Sequence, residues 1–514
     1  MIASFIFIVL LIPIVILSNP TTRLSQAQDS SLPVKISYGS CTSYSMEQLP
    51  LLSRITSSSP DYFIWLGDVI YLDDPVTDCE SPTWIEDCGC SNTDFIRIPP
   101  HSCYSGDAEH ARTMWEFFRD SPDVNAFVNY FQGIKTHESD YRMIGTYDDH
   151  DFGWNNGNRR MPEKQMFKEM FLDFLDVPND SKRRRTLEGV QEHLKISDDI
   201  ELWLLDERWY RDPMPCEVRR DWCLNTVLPN SAHNKHGWCD DYINNGGCCE
   251  ADEKIYNGVC NNMSQDDELY FPACDHTHAD FGKYNFLPNA ANDGVVLGEA
   301  EDEPFCSMLG RNQREWLTTT LAESNAKIKL VASGSVLLAQ PNWSGNEGHC
   351  SSDDWDCYRV EQKWLMNLLT SEGVAGSTGC QPIVLTGDYH FGDIKTACAG
   401  TDTLYGLELG IDSGSNERCI IQHMASGMSH TTATTYYDCD HPDFLKDHSG
   451  LRVEAGQDEC SIITGPNWGE ILYDGKKQLN IRSRGEDGDI ITEIVLDVSD
   501  SCKRTGGITY HLGD

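Results

Sequence analysis

Three stretches of the chain carry an apolar strand straight into a cluster of carboxylates and imidazoles. They are Phe63-Ile64-Trp65-Leu66-Gly67-Asp68, Met143-Ile144-Gly145-Thr146-Tyr147-Asp148-Asp149-His150-Asp151 and Ile383-Val384-Leu385-Thr386-Gly387-Asp388-Tyr389-His390. Strands this apolar belong to a mostly buried sheet. In such sheets ligand sites open at the carboxyl ends of the strands. Hard oxygen donors and imidazoles arriving there from three strands imply a shared cation site, and with it metal-assisted hydrolysis.

The rest of the chain mixes strands with helices. Residues 34–38 read as a first strand ending at Gly39-Ser40-Cys41, and a short helix is expected before a strand over 61–66. Apolar residues at three- and four-residue spacing predict helices over 108–119, 124–132, 163–175, 313–323 and 360–369. Further strands are expected at 141–147, 200–205, 327–332 and 382–385. From Gly469 onward, 470–473, 478–483 and 489–498 alternate and are separated by Asp-Gly turns, the pattern of antiparallel hairpins. Residues 75–104 hold Pro, Gly and four cysteines and read as a disulfide-pinned loop, and 213–306 reads as a cysteine-rich insertion. This mixture predicts an α/β (α+β) fold, two mixed sheets sandwiched between helical layers with disulfide-rich insertions.

With 514 residues and 39% hydrophobic content, the chain can bury a large core in one domain or two. Its first 17 residues are almost wholly apolar, a run short for a membrane span, and Ser25-Gln26-Ala27 offers a small-x-small cleavage site. No Lys or Arg precedes Arg23, so the basic n-region is missing, yet residues 1–27 still read as a secretory signal peptide. The expectation is therefore a secreted protein with no stable membrane span after cleavage. The 21 cysteines, without a paired CxxC zinc pattern, agree with a disulfide framework. Asn179, Asn262 and Asn342 head glycosylation acceptor sequences. A net charge of −41 argues against a nucleic-acid-binding surface. Lys182-Arg183-Arg184-Arg185 is the exception, and it reads as a solvated loop or processing site.

Several residues have the chemistry for the site. Gly67 lets the backbone turn so that Asp68 projects, and Tyr71 follows three residues on as a hard oxygen donor suited to a trivalent cation. The bland alternative is a turn Asp with Tyr71 in the core. Three carboxylates in Asp148-Asp149-His150-Asp151 repel one another, a cost that a cation or solvent exposure relieves. His150 in that field is a candidate proton donor to a leaving oxygen. Asp388 and His390 stand at i and i+2, able to face one cation. Arg208 and Arg211 follow the Ile200–Leu205 strand beside Asp206, where a planar fork matches phosphate oxygens. Salt bridges to neighbouring carboxylates are the competing role for at least one of them.

Taken in order, these residues resemble the PhoD-like alkaline phosphatases, a branch of the calcineurin-like metallophosphoesterases. The similarity runs from Gly39-Ser40-Cys41 through Gly67-Asp68-x-x-Tyr71, Asp148-Asp149-His150-Asp151-Phe152-Gly153-x-Asn155, Asp206-x-Arg208-x-Tyr210-Arg211 and Leu309-Gly310-x-x-Gln313-x-x-Trp316-Leu317 to Gly387-Asp388-x-His390. The resemblance implies a four-layer αββα sandwich over 34–502 and small-molecule phosphate esters as substrates. It also implies a site holding Fe(3+) and Ca(2+). In that family Asp68 would bridge metals and Cys41 and Tyr71 would bind iron. Asn155 or its neighbour Asn156, Asp388, His390 and one of Asp148 and Asp149 (Asp149 by preference) would complete the set. His150, Arg208 and Arg211 would stabilise the charge that develops at phosphorus or on the leaving group. The family's frequent N-terminal β-domain is not expected, because Gly39-Ser40-Cys41 follows the leader directly. An odd cysteine count agrees with a metal-bound Cys41 that leaves the other twenty free to pair. Two rival readings stand beside this one: a phosphodiesterase or phospholipase on the same scaffold, and a non-catalytic calcium-binding extracellular protein. A monoester-versus-diester assay separates the first, and metal analysis after dialysis the second.

Overall fold

The apolar strands pair into two sheets that face each other. The computed structural model describes residues 32–42, 50–72, 95–98, 102–105, 108–136, 141–153, 157–159, 161, 163–185, 188–211, 307–338, 355–375, 380–398, 419–431, 452–453, 457–458, 462–499, 503–504 and 509–510. All of these lie in one compact unit, Ser31–Asp514. The proposed leader and the 213–306 insertion fall outside the described residues.

The first part of the chain supplies β1 (Val34–Gly39), α1 (Pro50–Ser57), β2 (Tyr62–Leu66), β3 (Phe95–Ile98), β4 (Ser102–Ser105), α2 (Ala108–Asp120), α3 (Pro122–Gly133) and β5 (Met143–Thr146). Then come α4 (Asp149–Phe152), α5 (Lys164–Phe174), α6 (Lys182–Arg185), β6 (Glu192–Lys195) and β7 (Ile200–Leu204). They are followed by α7 (Gly310–Glu323), β8 (Ile328–Ser333), α8 (Arg359–Thr370), α9 (Glu372–Ala375), β9 (Ile383–Thr386), β10 (Gly392–Cys398) and β11 (Cys419–Ala425). The chain closes with β12 (Arg452–Val453), β13 (Gln457–Asp458), β14 (Asn467–Tyr473), β15 (Gln478–Gly485), β16 (Ile490–Asp497), β17 (Lys503–Arg504) and β18 (Thr509–Tyr510).

One sheet runs β17-β16-β15-β14-β1-β2-β5, with β18 added on β16, and the other runs β10-β11-β9-β8-β7-β6. Both are mixed. In the first, β1, β2 and β5 are parallel while β14 to β16 form the expected hairpins. In the second, β7, β8, β9 and β11 are parallel and β6 and β10 are antiparallel edges.

Alternation along the central strands sorts side chains into layers, because successive residues point to opposite faces. Ile64 and Leu66 of β2 meet Leu202 and Leu204 of β7, Leu330 of β8 and Leu385 of β9 in a core between the sheets. Phe63 and Trp65 of the same β2 face the other way, onto Trp115 of α2, Phe127 of α3 and Phe171 of α5. Trp203, Val331 and Val384 likewise face away from the first sheet, onto Leu317 of α7 and Leu365 of α8. The order is helix, sheet, sheet, helix, as the sequence led one to expect.

A polar chain crosses the otherwise apolar middle. The ring of His423 on β11 is joined to Tyr38 OH on β1 and to Ser483 Oγ on β15, each at 2.9 Å, and Thr492 of β16 donates to Ser483 at 2.8 Å. All four residues are buried, so the chain satisfies groups that would otherwise be stranded.

Two local expectations need correction. The basic run 182–185 is the short helix α6, and Arg183 is fully buried, donating to the carbonyls of Val190 and Gly145. Its charge anchors β5 and is not solvated. Within the expected loop 75–104, Phe95–Ile98 pairs antiparallel with Ser102–Ser105.

Candidate metal centre

The parallel strands of both sheets point their carboxyl ends to one place, and the two sheets touch there. Ser40 bridges to Ser426, and the Ser40 N–H donates to the Ala425 carbonyl at 3.1 Å. Gly387 is required by this approach, since a Cβ there would lie 2.5 Å from Ser40 Oγ and 2.6 Å from Leu66 O. Gly67 is required by its turn, with φ at +91° and a Cβ position only 2.3 Å from that of Asp148.

Four residues that follow these strand ends adopt left-handed backbone although none is glycine: Cys41 (φ 61°), Asp68 (51°), Asp388 (79°) and His390 (60°). Their side chains converge. Cys41, Asp68 and His390 offer ligand atoms within 4.8 Å of one another, as do Asp68, Asp149 and His150, and Asp68, Asp148 and Asp388. Asp68 is common to all three groups. Cys41 Sγ lies 3.5 Å from Asp68 Oδ2 and 3.0 Å from Ser426 Oγ. Tyr71 OH reaches Asp68 Oδ2 at 3.3 Å and His390 Nε2 at 3.1 Å.

The acidic loop divides its labour. Asp149 faces the cluster. Asp148 caps α4 and takes the guanidinium of Arg208, with Nε at 2.6 Å and Nη2 at 2.5 Å from Oδ1. Asp151 turns back, accepting from Ile70 N and from Asp148 N at 3.0 Å each, so one carboxylate ties the 67–72 turn to α4. Arg208 in turn is aimed by Asp206, whose carboxylate accepts from Arg208 N (3.0 Å), Trp209 N (2.8 Å), Val190 N (2.7 Å) and Tyr147 OH (2.7 Å).

The electrostatics explain what this cluster asks for. Burial pushes the Asp68 carboxyl well above the usual range, and Cys41 and Asp149 add to it. Burial likewise raises Tyr71, with Asp68 next, and raises the Cys41 thiol. Asp151 is pushed up to about 7 by burial. Burial, followed by the neighbouring His150, lowers His390 to about 4. The acids among them oppose one another's ionisation, and a cation there would favour every anionic form while keeping the His390 ring neutral and able to ligate. Asp68 Oδ1 is buried and makes no hydrogen bond among the described residues, which leaves an acceptor for an ion. The donor set of carboxylates, thiol, phenol and imidazole thus fits one or more cations.

The structure therefore brings together Cys41, Asp68, Tyr71, both Asp148 and Asp149, His150, Asp388 and His390. Arg208 stands behind the cluster, fully buried, bound to Asp148 and to Ser335 Oγ at 3.2 Å. Arg211 is also fully buried and donates to Tyr358 OH at 2.8 Å and Gly157 O at 3.2 Å. Both guanidiniums are thus buried and engaged with protein groups. Asn155 and Asn156 lie outside the described residues. Among the described residues Cys41 is the free cysteine.

Sequence reasoning passed over His430, whose ring stacks on His390 with centroids 4.0 Å apart and lies 5.1 Å from that of Tyr71. The signal was there, because β11 runs into Ser426-Gly427-Met428-Ser429-His430, again a strand followed by glycine and an imidazole. It also passed over Ser426, which meets Cys41 and accepts from the His390 N–H at 2.8 Å.

The family model of the PhoD-like phosphatases matches residues 36–413. No curated protein sequence matches the chain. Among solved structures, one of PhoD aligns over 94% of this chain and 73% of its own, with a TM-score of 0.56 and 14% identity. A purple acid phosphatase from seeds of yellow lupin (Lupinus luteus) aligns over 91% of this chain and 54% of its own, with a TM-score of 0.42 and 8% identity. At 14% identity the likeness to PhoD is one of fold.

Proposed function

From the premise that this chain belongs to the PhoD-like phosphatase family, we propose that it is a metal-dependent alkaline phosphatase hydrolysing phosphate esters of small molecules. Phosphomonoesters are the first substrates to try and diesters the second. The observation that carries the reading is the convergence of Cys41, Asp68, Tyr71, Asp149, Asp388 and His390 at the carboxyl ends of both sheets.

Cations held by these residues supply Lewis-acid stabilisation of charge on the phosphoryl oxygens. The thiol and phenol beside harder carboxylates support Fe(3+) and Ca(2+) as those cations. The chain's own residues do the rest. Asp68, shared by all three ligand groups, would be the ligand common to the cations held there. Arg208 holds Asp148 and lies 4.0 Å from Asp149, which offsets the repulsion between the two carboxylates and fixes their direction. His150 is half-buried and groups with Asp68 and Asp149 on the accessible side, where it can pass a proton to the departing oxygen. Arg208 and Arg211 contribute as positioning residues.

Asp68→Ala and Asp388→Ala should each abolish release of a chromogenic leaving group from an aryl phosphate while leaving the far-UV circular dichroism intact. Retained turnover in either would sink the reading. Iron and calcium per chain in active protein should both be non-zero, and a site active with zinc or magnesium alone counts against the metal assignment. Export rests on the apolar leader and the cysteine density. N-terminal sequencing of protein recovered from culture medium checks it, and a mature chain that still begins at Met1 would overturn it.

A further inference from the structure

Among the described residues, the less buried members of the cluster are Asp388 and three imidazoles. Cys41, Asp68, Asp148, Asp149 and Tyr71 are buried, whereas His150, His390 and His430 are half-buried above them.

Two of the three are already committed. His390 Nε2 is bound to Tyr71 OH and belongs to the Cys41–Asp68 group, and His150 belongs to the Asp68–Asp149 group. His430 belongs to neither group, and its ring makes no hydrogen bond among the described residues. The contrast is His423 on the same strand-and-loop segment, which is bonded through both nitrogens. Yet His430 is firmly held. Its backbone N–H and that of Ser429 both donate to the Cys41 carbonyl, at 2.9 and 3.2 Å, and its ring lies 24° from parallel with that of His390. Cys41 and His430 are therefore locked to each other through main chain, in a loop that the Ser40–Ser426 bridge fastens to both sheets. Partly buried polar groups normally find partners. A fixed imidazole with donor capacity to spare, on the approach to a cation cluster, points to a ligand that supplies the partner.

We propose that His430 contacts substrate, its ring N–H donating to an oxygen of the phosphoryl group seated over the buried acids. The inference rests on reading the site as one for phosphoryl groups. It does not need the ring to be charged, since an imidazole keeps at least one N–H in either protonation state. The ligand chemistry is a tetrahedral phosphate oxyanion, whether free orthophosphate or the head of an ester.

The test uses metal-loaded wild type with His430→Ala, His430→Gln and His430→Asn, the last two restoring an amide N–H near the former Nε2 or Nδ1. Binding of inorganic phosphate by calorimetry, turnover of an aryl phosphate, and metal per chain are measured on each. The expected result is wild-type metal content in all four. In His430→Ala, kcat/KM should fall on the order of 100-fold, the size expected on losing one fixed donor to a developing oxyanion. Phosphate binding should weaken in parallel, with partial rescue by Gln or Asn. Unchanged turnover and phosphate affinity in His430→Ala overturns the proposal, as does metal loss in proportion to activity, which would make His430 a ligand. If wild type binds phosphate through His430 but turns over no ester, the hydrolase reading fails while this one stands. If wild type neither binds nor hydrolyses, both fail.

Discussion

The side chains that define the cluster stand on backbone that only glycine adopts without cost. Left-handed conformation at Cys41, Asp68, Asp388 and His390 is worth on the order of 1 kcal/mol each against the fold. Asp68 carries a second penalty, since burial and its anionic neighbours oppose its ionisation and its Oδ1 makes no hydrogen bond among the described residues. Asp68→Gly should therefore raise the melting temperature of chelator-treated protein above that of chelator-treated wild type, even as hydrolysis disappears. A lower melting temperature would mean that the contacts of Asp68 with Cys41 and Tyr71 outweigh both penalties. Arg208→Ala should act in the opposite direction. Removing one member of a buried pair strands the other charge, at roughly 3–5 kcal/mol, so the metal-free variant should melt well below wild type. Equal melting temperatures would show that Asp148 takes up its proton and escapes the penalty.

At the level of elements, the turn after β2 and the short α4 work as one unit because Asp151 bonds to both and Thr42 N donates to Asp68 O at 2.9 Å. Gly67→Ala forces a Cβ into Asp148, so it should cost stability and displace the pair Asp68–Asp148 together. The expected readout is lower metal content at unchanged expression, and full metal occupancy with normal activity would refute it. The strands that feed this unit were legible because β2, β5 and β9 are apolar on both faces. β6 was not, since Glu192-His193-Leu194-Lys195 is an edge strand with three polar residues of four. β11 was hidden by Gln422 and His423, which interrupt its apolar run and find their partners far along the chain: Leu338 N donates to Gln422 Oε1, and the His423 ring meets the hydroxyls of Tyr38 and Ser483. With β11 went His430. The acidic loop showed that carboxylates gather but not which way each points, because capping, pairing with Arg208 and facing the cluster all draw on the same residue type. Arg183 shows the limit of composition: a run of four cations is polar in sequence, yet one of them is the anchor of β5.

Across the whole molecule, the two sheets are joined by apolar contact and by the Tyr38–His423–Ser483 chain. Burial lowers His423 to about 3, so the fold holds it neutral. The unfolded chain takes up its proton near pH 6.5. A depressed pKa of this kind contributes stability that is fully present above about pH 6.5 and is lost as the pH falls towards 3, at about 1.4 kcal/mol for each pH unit between the two titrations. His423→Gln, which keeps polar ends, should flatten the pH dependence of unfolding free energy across that window. A slope identical to wild type would assign the acid sensitivity elsewhere. The burial of Cys41 and Asp68 beneath the imidazole rim also sets a residence time. An ion held there by several buried ligands at once would leave through local opening of the loops that carry them, and not by stepwise exchange with solvent. A strong chelator added to native protein should then strip the ion at a rate that saturates with chelator concentration and quickens under mild denaturant. A rate that keeps rising in proportion to chelator would mean that the solvent reaches the ion directly. The enzyme would thus carry its metals as a memory of where it folded, slow to exchange them for whatever the surroundings later offer.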